Sequence, residues 1–251
     1  MISVVILGAG NVASHLFRAF NASSSITVKQ WYNRSSENMK RFAGTVPTTT
    51  DLSQLVEADL YILAVSDRSI KPLSEKLPFT DRLIAHTSGS MSIHELVKKN
   101  ERAVFYPLQT FSTDADVDFK NVPICAEVLN KESLNTLRAI AKAIESPFYR
   151  ISTDQRQTLH LAAVFANNFV NQLYRVAHEI CESKHIEFEI LKPLIDETAH
   201  KLKDMSPYMA QTGPAKRNDK VTIKKHLKLL QNKNHKELYK LITASIQKTH
   251  G

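Results

Sequence analysis

Val4-Val5-Ile6-Leu7-Gly8-Ala9-Gly10-Asn11-Val12-Ala13 lies at the start of the chain. The apolar run Ile2–Leu7 stops at a glycine, which reads as a buried parallel strand. From Asn11 to Phe20 the apolar residues Val12, Leu16, Phe17 and Phe20 recur at helical spacing. Between strand and helix the pattern is G-x-G-x-x-A, and that placement gives a weak motif its weight. Gly8 permits the tight turn, and Gly10 leaves room for a pyrophosphate against the backbone. Ala13 lets the helix lie close to the strand. The amides of Gly8, Gly10, Asn11 and Val12 then face the anion at a helix N-terminus. A bare strand–turn–helix without ligand is the plainer alternative.

The second strand, Thr27–Tyr32, bears on which dinucleotide. A site for NAD has an acid about 20 residues after the glycines, accepting from the ribose 2′-hydroxyl. Here the strand runs into Asn33-Arg34-Ser35-Ser36, with no acid. Arg34 suits a 2′-phosphate, Ser35 can donate to it, and Asn33 lies beside them, so NADP is the expected cofactor. An ordinary polar turn is the alternative.

Working outward, strands and short helices alternate. Strands are expected at Val46–Thr48, Leu60–Val65, Leu83–His86, Ala103–Tyr106, Val122–Ala126 and Phe148–Ile151. Helices are expected at Ser36–Phe42, Asp51–Glu57, Ser69–Leu77, Ser92–Lys98 and Lys131–Ile144. This is an α/β pattern with a Rossmann-like, doubly wound, mostly parallel sheet. After Thr153 the strands stop. Helices are expected from 153 to about 183, at Glu187–Met205, Ile223–Gln231 and His235–Gln247, giving an all-helical C-terminal domain. The expected division is 1–151 and 152–251.

The 251 residues hold only six glycines, against an ordinary usage of about 7%. A chain this poor in glycine places it where the backbone has few alternatives. With 43% hydrophobic and 23% charged residues, disorder is excluded for most of the length. No apolar run approaches the ~18–20 residues of a membrane span. The apolar start lacks the flanks of a signal peptide. Cys125 and Cys181 are too few for a disulfide framework or a four-ligand zinc site. A soluble, cytoplasmic protein without a metal is expected. The net charge of +8 is concentrated between Lys216 and Lys248. It suits an anionic small molecule. Nucleic acid is disfavoured, because the interleaved aromatics of single-strand binders are missing.

Gly8–Ala13, Asn33-Arg34-Ser35, Ala64-Val65-Ser66-Asp67 and His86-Thr87-Ser88-Gly89-Ser90 follow one another in a way that resembles one known NADP-binding domain. It is the domain shared by pyrroline-5-carboxylate reductase, ketopantoate reductase and 6-phosphogluconate dehydrogenase. His160-Leu161-Ala162-Ala163-Val164-Phe165-Ala166-Asn167-Asn168 and Thr212-Gly213-Pro214-Ala215-Lys216-Arg217-Asn218-Asp219 resemble a bacterial family that joins such a domain to a helical domain of unknown function. The resemblance implies a homodimer through the helical domain. It also implies that Ala64, Val65 and Ser66 pass under the cofactor. The C-terminal ends of parallel strands are independently where ligands bind. On that logic Gly89 admits the nicotinamide end, Ser88 touches substrate, and Tyr106–Thr110 lines the cleft. The alternative for the Ser88 loop is a turn capping the next helix.

At 100° per residue, His160, Val164, Asn167, Asn171, Tyr174 and His178 lie on one stripe of the long helix. The rest of that helix is largely apolar, so the polar stripe needs partners: a ligand cleft, another polar element or a second subunit. His160 is the candidate acid–base, since histidine titrates near neutrality. Asn167 is placed to hold a carbonyl or imine, and Asn171 lines the same stripe. In β-hydroxyacid dehydrogenases a lysine and an asparagine occupy a comparable helix, and histidine stands here at the lysine position. Arg217 offers a planar fork for a carboxylate or phosphate. The reading is an NADP-dependent oxidoreductase acting on a small anionic carbonyl or imine. A non-catalytic NADP(H)-binding regulator or redox sensor is the alternative, and fold does not separate them.

Overall fold

The computed structural model describes residues 1–42, 44–113 and 115–250. Eight strands form one sheet: β1 (Ile2–Leu7), β2 (Ile26–Tyr32), β3 (Thr48–Thr49), β4 (Leu60–Leu63), β5 (Leu83–His86), β6 (Glu101–Pro107), β7 (Ile124–Val128) and β8 (Phe148–Arg150). Their order is β3-β2-β1-β4-β5-β6-β7-β8. Every neighbouring pair is parallel except β6 and β7. The chain winds outward from β1 to β3, then returns to the other side of β1 as β4. That reversal leaves a crevice at the C-terminal ends of β1 and β4, where a doubly wound sheet takes its ligand.

The sheet is buried on both faces because successive side chains alternate. Val4 and Ile6 pack with Leu16, Phe17 and Phe20 of α1 (Asn11–Ala22), and with Trp31. Val5 and Leu7 pack on the opposite face with Tyr61, Leu63 and Ile84. Ile70 of α2 (Asp67–Glu75) joins that second cluster. Each such side chain contributes ~1.5–3 kcal/mol when fully buried. The helix α3 (Lys131–Ala143), capped by Asn130, covers the β6–β8 end of the sheet through Leu134, Leu137 and Ile140.

Three expected helices are 3-10 helix instead, two turns at Glu37–Phe42 and single turns at Leu52–Gln54 and Ile93–Glu95. In two of them a capping side chain closes the turn on the second residue along, Asp51 on the Ser53 amide and Ser92 on the His94 amide. A tight i,i+3 turn follows, too short to nucleate an α-helix. The strand expected at Val46–Thr48 is shorter and later, at Thr48–Thr49: the Trp31 amide bonded to the Pro47 carbonyl opens the ladder, and Pro47 itself has no N–H to extend it backwards.

The chain divides into two compact units, Met1–Phe165 and Ala166–Gly251. The first unit takes in α4 (Thr153–Ala163), which begins beyond the boundary read from sequence. Ser152 starts it with a reciprocal capping box to Gln155. A π-helical turn, Val164–Phe169, follows, and then α5 (Val170–Glu182). The π-turn holds more residues than an α-turn, so the 100° step assumed from His160 to His178 does not run through it.

The second unit continues with α6 (Lys192–His200), α7 (Pro207–Ala210), α8 (Lys220–Leu229) and α9 (Lys233–His250). The expected helix over 187–205 is broken into a 3-10 turn, α6 and a second 3-10 turn, with Pro193 in the first turn of α6. Among the described residues of this unit only Ala215 is buried. No described helix is long and apolar enough to cross a membrane.

Candidate functional site

The glycine turn forms as its sequence requires. Gly8 has φ +109°, and a Cβ there would run into the Ala64 carbonyl, so only glycine fits. Its amide donates to the Tyr32 carbonyl at 2.8 Å, and its own carbonyl accepts from Trp31 Nε1 at 2.5 Å. Gly10 is different. Its backbone is extended, and a Cβ there would meet nothing within 4 Å. It is the N-cap of α1 without a side-chain cap, and no acid occupies the first turn. An open approach to uncapped amides fits a pyrophosphate. Val12 is half-buried, and Ala13 is buried against the sheet.

Asn11 contributes more than an amide. Its Nδ2 donates to the Phe111 carbonyl at 2.9 Å, and its Oδ1 accepts from Thr113 Oγ1 at 3.2 Å. His15 Nε2–H donates to the Ser112 carbonyl at 2.8 Å. Both side chains therefore hold the loop after β6 against α1.

After β2, Asn33 Nδ2 donates to the Ser35 carbonyl at 2.8 Å and shapes the turn. Arg34, Ser35 and Ser36 are exposed. Glu37 is paired with Lys40 at 2.7 Å, which leaves Arg34 without an ion pair among the described residues. An exposed guanidinium beside two serines, its one acidic neighbour in sequence paired with Lys40, fits a phosphate.

Ala64, Val65 and Ser66 follow β4. Ala64 is buried beneath Gly8, its amide donating to the Leu7 carbonyl at 2.8 Å. Ser66 precedes α2 and shares a hydrogen bond with Ser69. Asp67 accepts from Ser90 Oγ at 2.5 Å, which ties the loop after β4 to the loop after β5.

In that second loop Ser88 is engaged by its own turn. Its hydroxyl accepts from the amides of Ser90 and Met91 at 3.1 and 3.0 Å. Gly89 faces two rings: an added Cβ would lie 2.6 Å from His160 Nδ1 and 2.8 Å from Tyr106 Cζ. His86 is fully buried, with Nδ1 accepting from the Ser88 amide at 3.1 Å and Nε2 unpartnered. Burial, helped by the Arg156 charge, lowers its pKa to about 4, so it is neutral and no proton carrier near neutrality.

Arg156 is the residue that sequence reasoning missed. It is completely buried on α4, one turn before His160. Nη1 donates to the carbonyls of Ser88, Gly89 and Met91 at 3.0, 3.2 and 2.7 Å. Nη2 pairs with Glu127 Oε2 on β7 at 2.9 Å, and Thr153 Oγ1 also donates to Glu127. Gln157 Nε2 adds a bond to the Ser90 carbonyl at 2.7 Å. The start of α4 thus grips the Ser88–Met91 loop from behind. Only a solitary arginine among polar residues signals this in sequence, and its carbonyl partners are invisible there.

His160 therefore lies against the ends of β5 and β6, half-buried, with its Nδ1 3.1 Å from Tyr106 Oη. Gly8, Gly10, Ala64–Ser66, Ser88, Gly89 and His160 all belong to the first unit, at the C-terminal side of its strands. Asn167, Asn171 and Arg217 belong to the second, where all three are exposed. Asn167 falls inside the π-turn. Asp219, at the end of the loop that carries Arg217, caps α8 through the Thr222 amide at 3.0 Å.

This sheet order and glycine turn define a Rossmann-like α/β protein with a helical C-terminal region. Residues 122–246 match the family described as "Domain of unknown function (DUF2520)". A crystal structure described as a "putative NADP oxidoreductase" from Bacteroides fragilis is 35% identical over 98% of both chains, with a TM-score of 0.89. The chain belongs to the family of that protein. Protein TM1727 from Thermotoga maritima is similar at 22% identity over 98% of both chains, TM-score 0.76. A pyrroline-5-carboxylate reductase from Coxiella burnetii shares the fold at 19% identity, over 99% of this chain and 97% of its own, TM-score 0.60. No curated protein matches the chain.

Proposed function

We propose that the protein is an NADP-dependent oxidoreductase acting on a small anionic carbonyl or imine compound. The observation that carries this is the pairing of an open, uncapped helix N-terminus at Gly10 with an unpaired Arg34 after β2. The B. fragilis relative, described as a "putative NADP oxidoreductase", supports the same cofactor. The turn Gly8–Val12 would hold the pyrophosphate, and Arg34 with Ser35 the 2′-phosphate. Bound NADPH supplies a hydride. His160 would hydrogen-bond the carbonyl oxygen or imine nitrogen and deliver the proton that the reduction takes up. Asn167, Asn171 and Arg217 are the candidate substrate contacts of the helical unit, amides suiting a carbonyl and a guanidinium suiting a carboxylate.

The helical unit is also the proposed homodimer surface. Ile190, Leu194, Met209 and Leu241 are exposed, and a unit in which only Ala215 is buried among the described residues needs a further cover to be stable. A second copy supplies matching helices.

Calorimetric titration with NADPH and NADH, followed by NADPH oxidation against keto acids and cyclic imines, tests the reading. Tighter binding of NADPH and turnover of at least one compound are expected. Tighter NADH binding would overturn the cofactor assignment. Tight NADPH binding without turnover would make the protein a sensor or regulator.

A further inference from the structure

Gly89, Tyr106 and His160 come from a loop, a strand and a helix, and they meet in one contact within the first unit. Tyr106 lies near the C-terminal end of β6, and its hydroxyl is 3.1 Å from His160 Nδ1. The two rings are edge-on, with centroids 5.9 Å apart at 74°. Gly89 floors the pair, since a methyl group there would lie 2.6 Å from His160 Nδ1. Arg156 holds the Gly89 carbonyl from one turn earlier on α4. The distance between hydroxyl and imidazole is thus set by packing on three sides.

Such a pair can be bonded in two ways. The phenol can donate to a bare Nδ1, or a protonated Nδ1 can donate to the phenol oxygen. An uncharged imidazole nitrogen is a far better acceptor than a phenol oxygen. Burial, the largest influence, pushes Tyr106 up to about 12, so its hydroxyl stays protonated and available as a donor. Among the described residues that hydroxyl has no other acceptor, and an unspent half-buried O–H is costly. His160 Nε2 has no hydrogen-bond partner among the described residues.

We infer that Tyr106 is the positioning residue of this site. Its hydroxyl donates to His160 Nδ1 and fixes the neutral imidazole as the Nε2–H tautomer. The free nitrogen then offers a donor, which takes an acceptor group such as a carbonyl or carboxylate oxygen and rejects an ammonium or iminium. This deepens the reading of His160 as the residue that meets substrate, and rests on it for that last step. It favours a carbonyl over a protonated imine within the proposed substrate class.

Nitrogen NMR of the full-length, nitrogen-15-labelled protein above neutral pH tests it, because the shifts of a neutral imidazole report its tautomer directly. His160 is identified among the ten histidines as the ring lost in His160→Gln. The expected wild-type result is a bare Nδ1 and a protonated Nε2. Tyr106→Phe keeps the ring and removes the donor, so the two shifts should move toward each other as the second tautomer is populated. Turnover should fall about tenfold with NADPH affinity unchanged. A protonated Nδ1 in the wild type, or shifts unaltered in Tyr106→Phe, would overturn the inference. If the variant fails to fold, the wild-type spectrum alone decides the tautomer. Failure of the wild type to consume NADPH with any carbonyl would sink the enzymatic reading and leave the tautomer result standing.

Discussion

Gly8 and Gly10 stand two residues apart and answer to different demands. Gly8 is required by the fold: at φ +109° a side chain is strained, and its Cβ would strike the Ala64 carbonyl. Gly8→Ala should cost roughly 3 kcal/mol or more of stability, read by urea unfolding. Gly10→Ala meets no neighbour and needs no unusual φ, so its stability cost should stay below about 1 kcal/mol, the scale of a weaker N-cap. The same change puts a methyl group where the pyrophosphate is proposed, and NADPH affinity should fall at least about tenfold, ~1.4 kcal/mol. Undiminished affinity in Gly10→Ala would remove the phosphate from this turn. His86 gives a residue-scale pH dependence. Unfolded, it takes up a proton near its ordinary pKa of 6.5; folded, it does so only at about 4. Between those values the unfolded state binds more protons, so stability declines as pH falls from 6.5 to 4. The loss is about 3 kcal/mol in total and adds nothing further below 4. His86→Asn, which keeps an acceptor for the Ser88 amide, should flatten unfolding free energy over that window. An equal slope in both proteins would refute the assignment.

At the scale of elements, α4 joins the loop after β5 to β7, the strand that runs antiparallel to β6. Arg156 does this with three carbonyls on one side and Glu127 on the other. Arg156→Met should cost ~3–5 kcal/mol, because Glu127, largely buried, loses its cation. Adding Glu127→Gln to Arg156→Met should recover part of that loss; a fully additive double variant would mean the two groups do not act as a pair. The elements legible in sequence were those with a local cause. Ile2–Leu7 and Leu83–His86 are largely apolar runs whose limits the structure reproduces, and the helix expected from Lys131 begins there, with Asn130 as its cap. The 3-10 turns, the π-turn and the 3-10 turns flanking α6 were not legible, since each differs from an α-helix by one residue in hydrogen-bond spacing rather than by hydrophobic pattern. The same holds for the site. The glycine turn is coded by neighbours in sequence, whereas the Gly89–Tyr106–His160 contact is closed by residues from three distant elements, and Ser88 turned out to be occupied in its own turn.

At the scale of the whole molecule, the two units differ in how much apolar surface they bury. The first unit buries both faces of its sheet. The second has five α-helices and a single buried residue among those described, Ala215. Ile190 and Leu194, one helical turn apart, are 68% and 62% exposed. An apolar surface of that kind on a helical unit without a core is a surface awaiting a partner, and a second copy offers the same helices related by a two-fold axis. The protein should therefore run at about 57 kDa, twice its 28.3 kDa, by light scattering. Ile190→Glu with Leu194→Glu places two charges on that surface, and the desolvation cost should shift the protein to 28.3 kDa. The Gly8–Val12 turn and Arg34 lie wholly in the first unit, so the separated chain should still bind NADPH within about threefold of the wild type. A monomeric wild type would give these helices another cover, and a dimeric double variant would move the interface away from Ile190 and Leu194.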